Sequence, residues 1–287
     1  MSAPVVVSPR TLDEALAALA DGADGADGRE ETLLLAGGTD LMVEFENGRT
    51  TPRHVIDIWA LDELRGIRAE NGGLRLGALT NCTELVRSPL VPEILADSAR
   101  EVGAAQIMNR ATLGGNLGTA SPAADLNPVL FALSAVVRLR SARGTRDVPV
   151  AEFVTGYRKN GRSADELIES VWIPARPAGE RRAFRKVGTR KRQSISKVVL
   201  AAAATVEDGR VASVTAAAGS IAERTLLLPS IAAELTGVQP DGDTIERAAR
   251  AAAERDVTPI DDVRSTAAYR REVLYRLLRR MLGDVLR

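Results

Sequence analysis

The sequence has one cysteine and one histidine. Cys82 alone allows no intrachain disulfide. His54 alone builds neither a His/Cys metal site nor, without a G-x-S-x-G elbow, a hydrolytic triad. Net charge is also missing: 38 basic residues balance 38 acidic ones, so no global field recommends a nucleic acid or an acidic surface, and any attraction to phosphate must be local. No stretch supplies the roughly 20 apolar residues of a membrane span. The segment "MSAPVVVSPR" has neither the charged n-region nor the apolar h-region of a secretory signal. A cytoplasmic protein without a membrane span is expected. What is present is length, since 287 residues exceed one average domain and two are expected.

Pattern divides the chain. "VVV" at 5–7 reads as a strand. "TLDEALAALADG" follows with Thr11 and Glu14 in capping-box spacing and Leu12, Ala15, Leu16 and Leu19 on one helical face. "DGADGADGRE" reads as a low-complexity surface turn and "TLLLAGG" as the next strand, so strand, helix and strand form a unit with parallel strands. Thr39 or Asp40 is placed to cap a helix at "DLMVEFENG". "HVIDIW" and "LRLGAL" read as strands, and "NCTELV" through "PEILADSAREVG" as helical. "AVVRLRSARGTRDVPVAEF" reads as a hairpin around "SARG", and "ELIESVWIP" as a strand. Beyond "PARPAGE" the character changes: "RRAFRKVG" and "SKVVLAAAATVEDGRVASVTAAAG" predict an antiparallel meander turning at Asp208-Gly209, followed by alanine-rich helices. In the last of these Tyr269, Val273, Leu277 and Leu278 share a face and the arginines are expected in solvent. The fold class is α+β, with domains at 1–176 (subdomains about 1–55 and 56–176) and 177–287.

Two glycine-rich segments stand out. "LLLAGGTDL" at 33–41 follows a strand, where ligands bind in such layers. "ATLGGNLGTASPAADLNP" at 111–128 holds three glycines, two prolines and little to bury. Gly37-Gly38 and Gly114-Gly115 allow positive φ and close approach of a ligand, and successive N–H groups can form an anion-binding nest suited to a diphosphate. Neither segment is a P-loop or a G-x-G-x-x-G opening a helix. Each pair taken alone also suits an ordinary turn.

"LLLAGGTDL", "TLGGNLGTASPAADLNP", "GTRDVPVAEFVTGYRKN" and "RKVGTRKRQSISKV" together resemble the FAD-binding medium subunit of the molybdenum hydroxylases, the xanthine dehydrogenase and carbon monoxide dehydrogenase group. The resemblance spans almost the whole chain and is strongest from 111 to 200. "GGN", eight residues and "DLNP" form its most specific motif, and "GYRKN" leans toward the purine-oxidising branch. It implies an FAD-binding domain of the vanillyl-alcohol-oxidase/PCMH type followed by a smaller domain of antiparallel sheet and helices. It also implies that Leu35, Ala36, Gly37, Gly38, Thr39, Asp40 and Leu41 wrap the FAD diphosphate. Ala111, Thr112, Gly115, Asn116 and Thr119 would approach the diphosphate and ribityl chain. Ala124 and Asp125 would follow, with Asp125 accepting from cofactor hydroxyls, although an Asx-type cap of the segment from Leu126 suits that residue equally. Val102 and Ile168 would flank the isoalloxazine ring, where plain core is the alternative, with Lys186 at its polar edge and Arg190 in the adjacent loop. Val102 departs from the aromatic residue of the eukaryotic purine enzymes. The basic run 185–193 reads either as a solvated loop or as one lying near the flavin.

The resemblance further implies an electron relay. A large molybdopterin-binding subunit oxidises substrate, a small subunit with two 2Fe-2S clusters carries electrons, and this chain unloads them from FAD to NAD or another acceptor in a dimer of heterotrimers. No catalytic or metal-binding residue is expected here, because a cluster needs about four Cys ligands. The same count disfavours the hydroxybenzoyl-CoA reductase branch. Carbon monoxide or N-heterocycle dehydrogenases are alternatives to a purine enzyme. A stand-alone flavin oxidase, with only His54 or Cys82 for covalent attachment, and a non-catalytic assembly subunit without FAD are alternatives of other classes.

Overall fold

A computed structural model describes residues 4–23 and 32–287. Strand β1 (Val5–Val7), helix α1 (Leu12–Ala23), β2 (Thr32–Leu35), α2 (Leu41–Glu46) and β3 (His54–Asp57) form the first layer. β1 and β2 are parallel, as the strand–helix–strand unit predicts, but they are not neighbours. β3 lies between them and is parallel to both. α1 buries Ala15, Leu16 and Leu19 against Ile56, Ile58, Leu61 and Leu64. Thr11 Oγ1 accepts the Glu14 N–H at 3.2 Å, while the Glu14 carboxylate takes the Arg10 N–H at 2.7 Å, one residue before the reciprocal partner of a capping box. The surface turn expected at 21–30 lies, from residue 24 onward, outside the described residues, and α1 extends over its first three.

The second layer is an antiparallel sheet in the order β4 (Ile67–Glu70), β5 (Gly73–Gly77), β10 (Leu167–Ile173), β6 (Val136–Ser141) and β7 (Gly144–Pro149). The β6–β7 hairpin turns at "SARG" as expected. The β4–β5 hairpin is an addition to the expected elements. Its turn is Asn71-Gly72, with φ of 51° and 71°, the conformation two-residue hairpins require at both central positions. Between β5 and β6 run α3 (Cys82–Arg87), α4 (Glu93–Val102), α5 (Ala105–Met108), α6 (Leu113–Thr119) and α7 (Asn127–Ala132). Between β7 and β10 lie α8 (Val150–Phe153) and the small hairpin β8 (Val154–Gly156) with β9 (Lys159–Asn160).

The third layer is the predicted meander: β11 (Arg181–Val187), β12 (Val198–Glu207), β13 (Arg210–Gly219) and the short β14 (Leu226–Leu227), turning at Asp208-Gly209. β12 is buried on both faces. Val198, Leu200, Ala202 and Ala204 pack under the helices α9 (Pro229–Leu235), α10 (Gly242–Arg255) and α11 (Ala267–Val285). Val199 and Ala201, with Phe184 and Ala217, join the core built around α7. Alanine on the two faces lets backbone layers approach closely, which explains an apolar run with no exposed alternate.

α11 turns a different face inward than periodicity alone predicts. Arg270, Leu274, Leu278, Met281, Leu282 and Val285 are buried, whereas Tyr269 is 43% exposed. The first inward position is taken by Arg270, 3% exposed, rather than by the aromatic ring. Its guanidinium donates to the carbonyls of Lys197 and Ser220 and to Asp262, each at 2.8 Å. Breaking a buried ion pair on one side leaves an uncompensated charge. Arg270→Met is therefore expected to cost roughly 3–5 kcal/mol in chemical denaturation. A loss below about 1 kcal/mol, the scale of an exposed pair, would reject this role.

Candidate functional site

A cleft of about 980 Å³ opens between the first layer and the helices that follow β5, at the upper end of the range for ligand sites. Both glycine-rich segments line it, from different sides. The first leaves β2 at Leu35. Gly38 has φ of +77°, a left-handed conformation that suits glycine, and the chain then enters α2 with the Met42 N–H on the Gly38 carbonyl at 3.1 Å. Neither Thr39 nor Asp40 caps α2 through its side chain. Asp40 instead pairs with Arg158 at 3.4 Å, and Arg158 also donates to Glu44 at 3.0 Å, so the β8–β9 hairpin reaches across to the first loop. Among the described residues, the backbone N–H groups of Gly37, Gly38, Thr39 and Asp40 have no protein acceptor. Four consecutive donors without protein acceptors, on residues that line a cleft, are the material of an anion-binding nest.

Gly37 has a second task that sequence did not disclose. A Cβ there would overlap the carbonyl oxygen of Arg110, so its absence lets the first loop lie directly on the residue that opens the second. The second loop also departs from expectation. Gly114 and Gly115 occupy the first turn of α6 and neither has a positive φ. Their amides are already used: Leu113 donates to the Thr80 carbonyl at 2.9 Å, Gly114 to Ala78 at 2.8 Å and Gly115 to Thr112 Oγ1 at 3.0 Å. The second loop is thus not an amide nest. Gly114 is small because a Cβ would lie 2.8 Å from that of Ala78, and one at Gly115 would lie 2.8 Å from Thr112 Oγ1 and disturb the cap. Gly118 is the open position. A Cβ there would meet only Ile168 Cδ1, at 3.9 Å, and the Gly118 carbonyl is held by Asn160 at 2.8 Å.

Asp125 sits at the far end of the same wall, 9% exposed. Its Oδ2 accepts from Lys186 Nζ at 2.7 Å, while Oδ1 is buried with no partner among the described residues. The Asx-cap alternative is not realised, because α7 is preceded by Leu126 and has no side-chain cap bond. Burial raises the Asp125 carboxyl to about 6, against the opposing pull of Lys186. Burial, aided by the Asp125 charge, pushes the neighbouring Cys82 thiol up to about 12, so this lone cysteine faces the cleft as a neutral, unreactive thiol. His54 is exposed on β3 and does not line the cleft.

Of the residues singled out from sequence, Ala36 to Leu41, Val102, Ala111, Thr112, Gly115, Asn116, Thr119, Ala124, Asp125 and Ile168 all line the cleft. Leu35 does not; its carbonyl accepts from Ile58 in the first layer. Lys186 is corrected more substantially. Its ammonium, with the side chain 1% exposed, lies behind the wall between Asp125 and the Glu101 carbonyl, and is not at the cleft edge. Arg190 folds its own loop by donating to the carbonyls of Arg192 and Gln193 and does not reach the cleft. Sequence reasoning passed over Arg158, Asn160, Ile107 and Ile195, which also line it. For the first two the signal was "GYRKN", read as a branch marker and never as a wall.

A carboxylate with one unpartnered oxygen, four free amides and an apolar stretch of Val102, Ile107, Ile168 and Leu126 suit a ligand with hydroxyls, a diphosphate and a flat ring. Residues 2–176 match the family model described as "FAD binding domain in molybdopterin dehydrogenase", and residues 182–285 that of the "CO dehydrogenase flavoprotein C-terminal domain". The chain is 36% identical over 210 residues to the nicotinate dehydrogenase FAD-subunit of Eubacterium barkeri, covering 71% of this chain and 69% of that one. It is 28% identical over 273 residues to the xanthine dehydrogenase FAD-binding subunit of Escherichia coli O157:H7, covering 93% of each. The solved carbon monoxide dehydrogenase from Hydrogenophaga pseudoflava lacking the Mo-pyranopterin moiety superposes with a TM-score of 0.93 at 28% identity, over 99% of this chain and 97% of that one. The first family match covers more than half the sequence and the second takes up the meander and its helices: the chain belongs to the FAD-binding flavoprotein family of the molybdopterin dehydrogenases.

Proposed function

We propose that the chain is the FAD-carrying electron-transfer subunit of a molybdenum hydroxylase complex. A small subunit would deliver electrons from 2Fe-2S clusters, a large molybdopterin-binding subunit would oxidise the substrate, and NAD or another acceptor would take the electrons, the whole forming a dimer of heterotrimers. One observation carries the reading: four unpaired amides at Gly37–Asp40 line a cleft together with Asp125, whose buried Oδ1 has no partner, which matches diphosphate and sugar-alcohol hydroxyls in one ligand. Bound FAD supplies electron storage, and this chain's residues supply binding and orientation. Gly37, Gly38, Thr39 and Asp40 donate to the diphosphate. Thr112, Asn116 and Thr119 line its path, Asp125 accepts from a ribityl hydroxyl, and Val102 and Ile168 hold the ring between aliphatic surfaces. Lys186 acts through Asp125. The cofactor-binding domain is drawn at 1–176, with β3 completing its first subdomain, and the second domain at 177–287.

The purine reading, with xanthine as the model substrate, rests on "GYRKN". Similarity to a nicotinate dehydrogenase subunit favours an N-heterocycle dehydrogenase as the second reading. In either case substrate is read on another chain. Co-purification with molybdenum- and iron-bearing subunits, followed by turnover of xanthine and nicotinate, separates the two.

The purified chain is expected to carry one noncovalent FAD, released by acid or heat. Flavin that stays attached after denaturation, or a colourless chain that takes up no added FAD, would overturn the reading. The affinity has a predicted pH dependence. Asp125 holds a proton below about 6 in the cofactor-free protein, and accepting a hydroxyl favours its charged form. FAD affinity should therefore fall by up to about tenfold per pH unit as pH drops below about 6. Affinity unchanged between pH 7 and pH 5 would remove Asp125 from contact with the cofactor.

A further inference from the structure

We propose that Arg110, held flat on Trp59, is a positioning residue that clamps the two cofactor loops together by fixing the backbone at Gly37. This inference rests on the FAD reading of the cleft. The geometry is specific. The Arg110 guanidinium carbon lies 3.8 Å from the centroid of the Trp59 ring, and its Nε donates to the Gly37 carbonyl at 3.2 Å. Its own carbonyl is the group against which Gly37 is packed. Trp59 is anchored to the first layer in turn. It lies two residues beyond β3, its backbone N–H donates to the Asp57 carboxylate at 3.0 Å, and its carbonyl accepts from Arg65, whose guanidinium carbon lies 4.6 Å from the same ring.

Neither Trp59 nor Arg110 lines the cleft, so their influence on the cofactor is indirect, through Gly37 on one side and the backbone leading into Ala111 on the other. That influence is geometric. The free amides of Gly37 to Asp40 lie on the first loop, and Thr112, Asn116 and Asp125 lie on the second segment. Arg110 is the first-turn neighbour of one loop and the hydrogen-bond donor to the other, so its side chain fixes the span between them. Arg110 itself is exposed and belongs to none of the buried apolar clusters, so what its removal uncovers is one face of Trp59. A planar guanidinium is needed, since it stacks on an indole while directing an in-plane N–H to a carbonyl, which a lysine ammonium cannot do.

The test uses the full chain stripped of flavin and retitrated with FAD, beside chemical denaturation of the same apo preparations. Arg110→Ala is expected to raise the Kd for FAD about tenfold, because binding must then bring the parted loops back together, while the denaturation midpoint falls only by the small amount an exposed contact contributes. Arg110→Lys should recover little of that affinity and Trp59→Phe most of it. Trp59→Leu combined with Arg110→Ala should be no worse than the poorer of the two alone, the non-additivity expected of residues acting as one unit. An Arg110→Ala protein with unchanged Kd overturns the clamp. A midpoint that falls in step with affinity overturns it too, in favour of a merely structural contact. Failure of the unaltered chain to bind FAD is a different result, and it condemns the FAD reading itself.

Discussion

Gly37→Ala is expected to remove FAD binding almost completely while leaving a folded but weakened chain. The added methyl would overlap the Arg110 carbonyl oxygen, a backbone atom that no rotamer change can move aside. Overpacking of this kind costs typically 1–3 kcal/mol. The chain can escape the clash by parting the two loops, which separates the amides of the first from Thr112 and Asp125 of the second. Loss of two or more charge-assisted hydrogen bonds, at about 1.5–3 kcal/mol each, corresponds to a Kd at least 100-fold higher. Gly38→Ala is the control. Its φ of +77° strains any residue with a Cβ, but the nearest atoms are the flexible Met42 side chain at 3.2 Å and Leu35 Cδ1 at 3.4 Å. It should cost stability of about 1 kcal/mol and less affinity than Gly37→Ala. FAD titrations giving Gly37→Ala a Kd within threefold of the unaltered chain would mean that the loops do not need each other.

Asp125→Ala carries the second large effect, and there stability suffers most. It leaves the Lys186 ammonium buried with the Glu101 carbonyl as its remaining acceptor, and breaking a buried pair from one side costs about 3–5 kcal/mol. Replacing both members, as Asp125→Ala with Lys186→Met, removes the stranded charge and should restore most of the stability. Affinity should not return with it, because the oxygen that would accept from the cofactor is gone. A double variant that regained both would reduce Asp125 to a structural partner of Lys186. The pH behaviour of the cofactor-free chain has a definite sign. The folded carboxyl lies at about 6, above its usual 3.8, so the folded state holds the proton more tightly than the unfolded state. Its contribution to stability is complete below about 3.8 and is lost as pH rises through about 6. Asp125→Asn should abolish that part of the stability profile.

Local signals in the sequence reached far. The apolar run ending at Leu35, the Asp208-Gly209 turn and the amphipathic face of α1 each follow from spacing within a dozen residues, and each element formed where that spacing puts it. Asn71-Gly72 is an equally strong hairpin signal, but the strand before it, β4, offers only four residues, Ile67 to Glu70, whose apolar/charged alternation is short and is not matched by alternating burial. The family motif brought most cleft residues to one place, but it could not say what the glycines do. At Gly38 the answer is backbone conformation, at Gly37 and Gly114 it is the nearness of another segment, and only coordinates separate these cases. Lys186 shows the limit most clearly. Whether a cation on β11 meets the ring or the carboxylate behind it depends on how the meander docks on α7 and α4, more than sixty residues away in sequence from Asp125. The buried face of α11 shifted for a related reason, since Arg270 found three acceptors that belong to other elements.

The two-faced burial of β12 has a mechanical meaning. A sheet that turns one side to water can slide or hinge away from its neighbour at the cost of wetting one surface. Here alternate residues of one strand belong to two different cores, and any relative movement of the two domains would open an apolar seam along Val199, Ala201 and Phe184. The Lys186–Asp125 pair crosses the same seam. The halves matched by separate family models are therefore joined along a buried seam, with the cleft set beside it. An electron carrier seated there would exchange electrons according to where other molecules come to rest against that joint, rather than by one half swinging toward them.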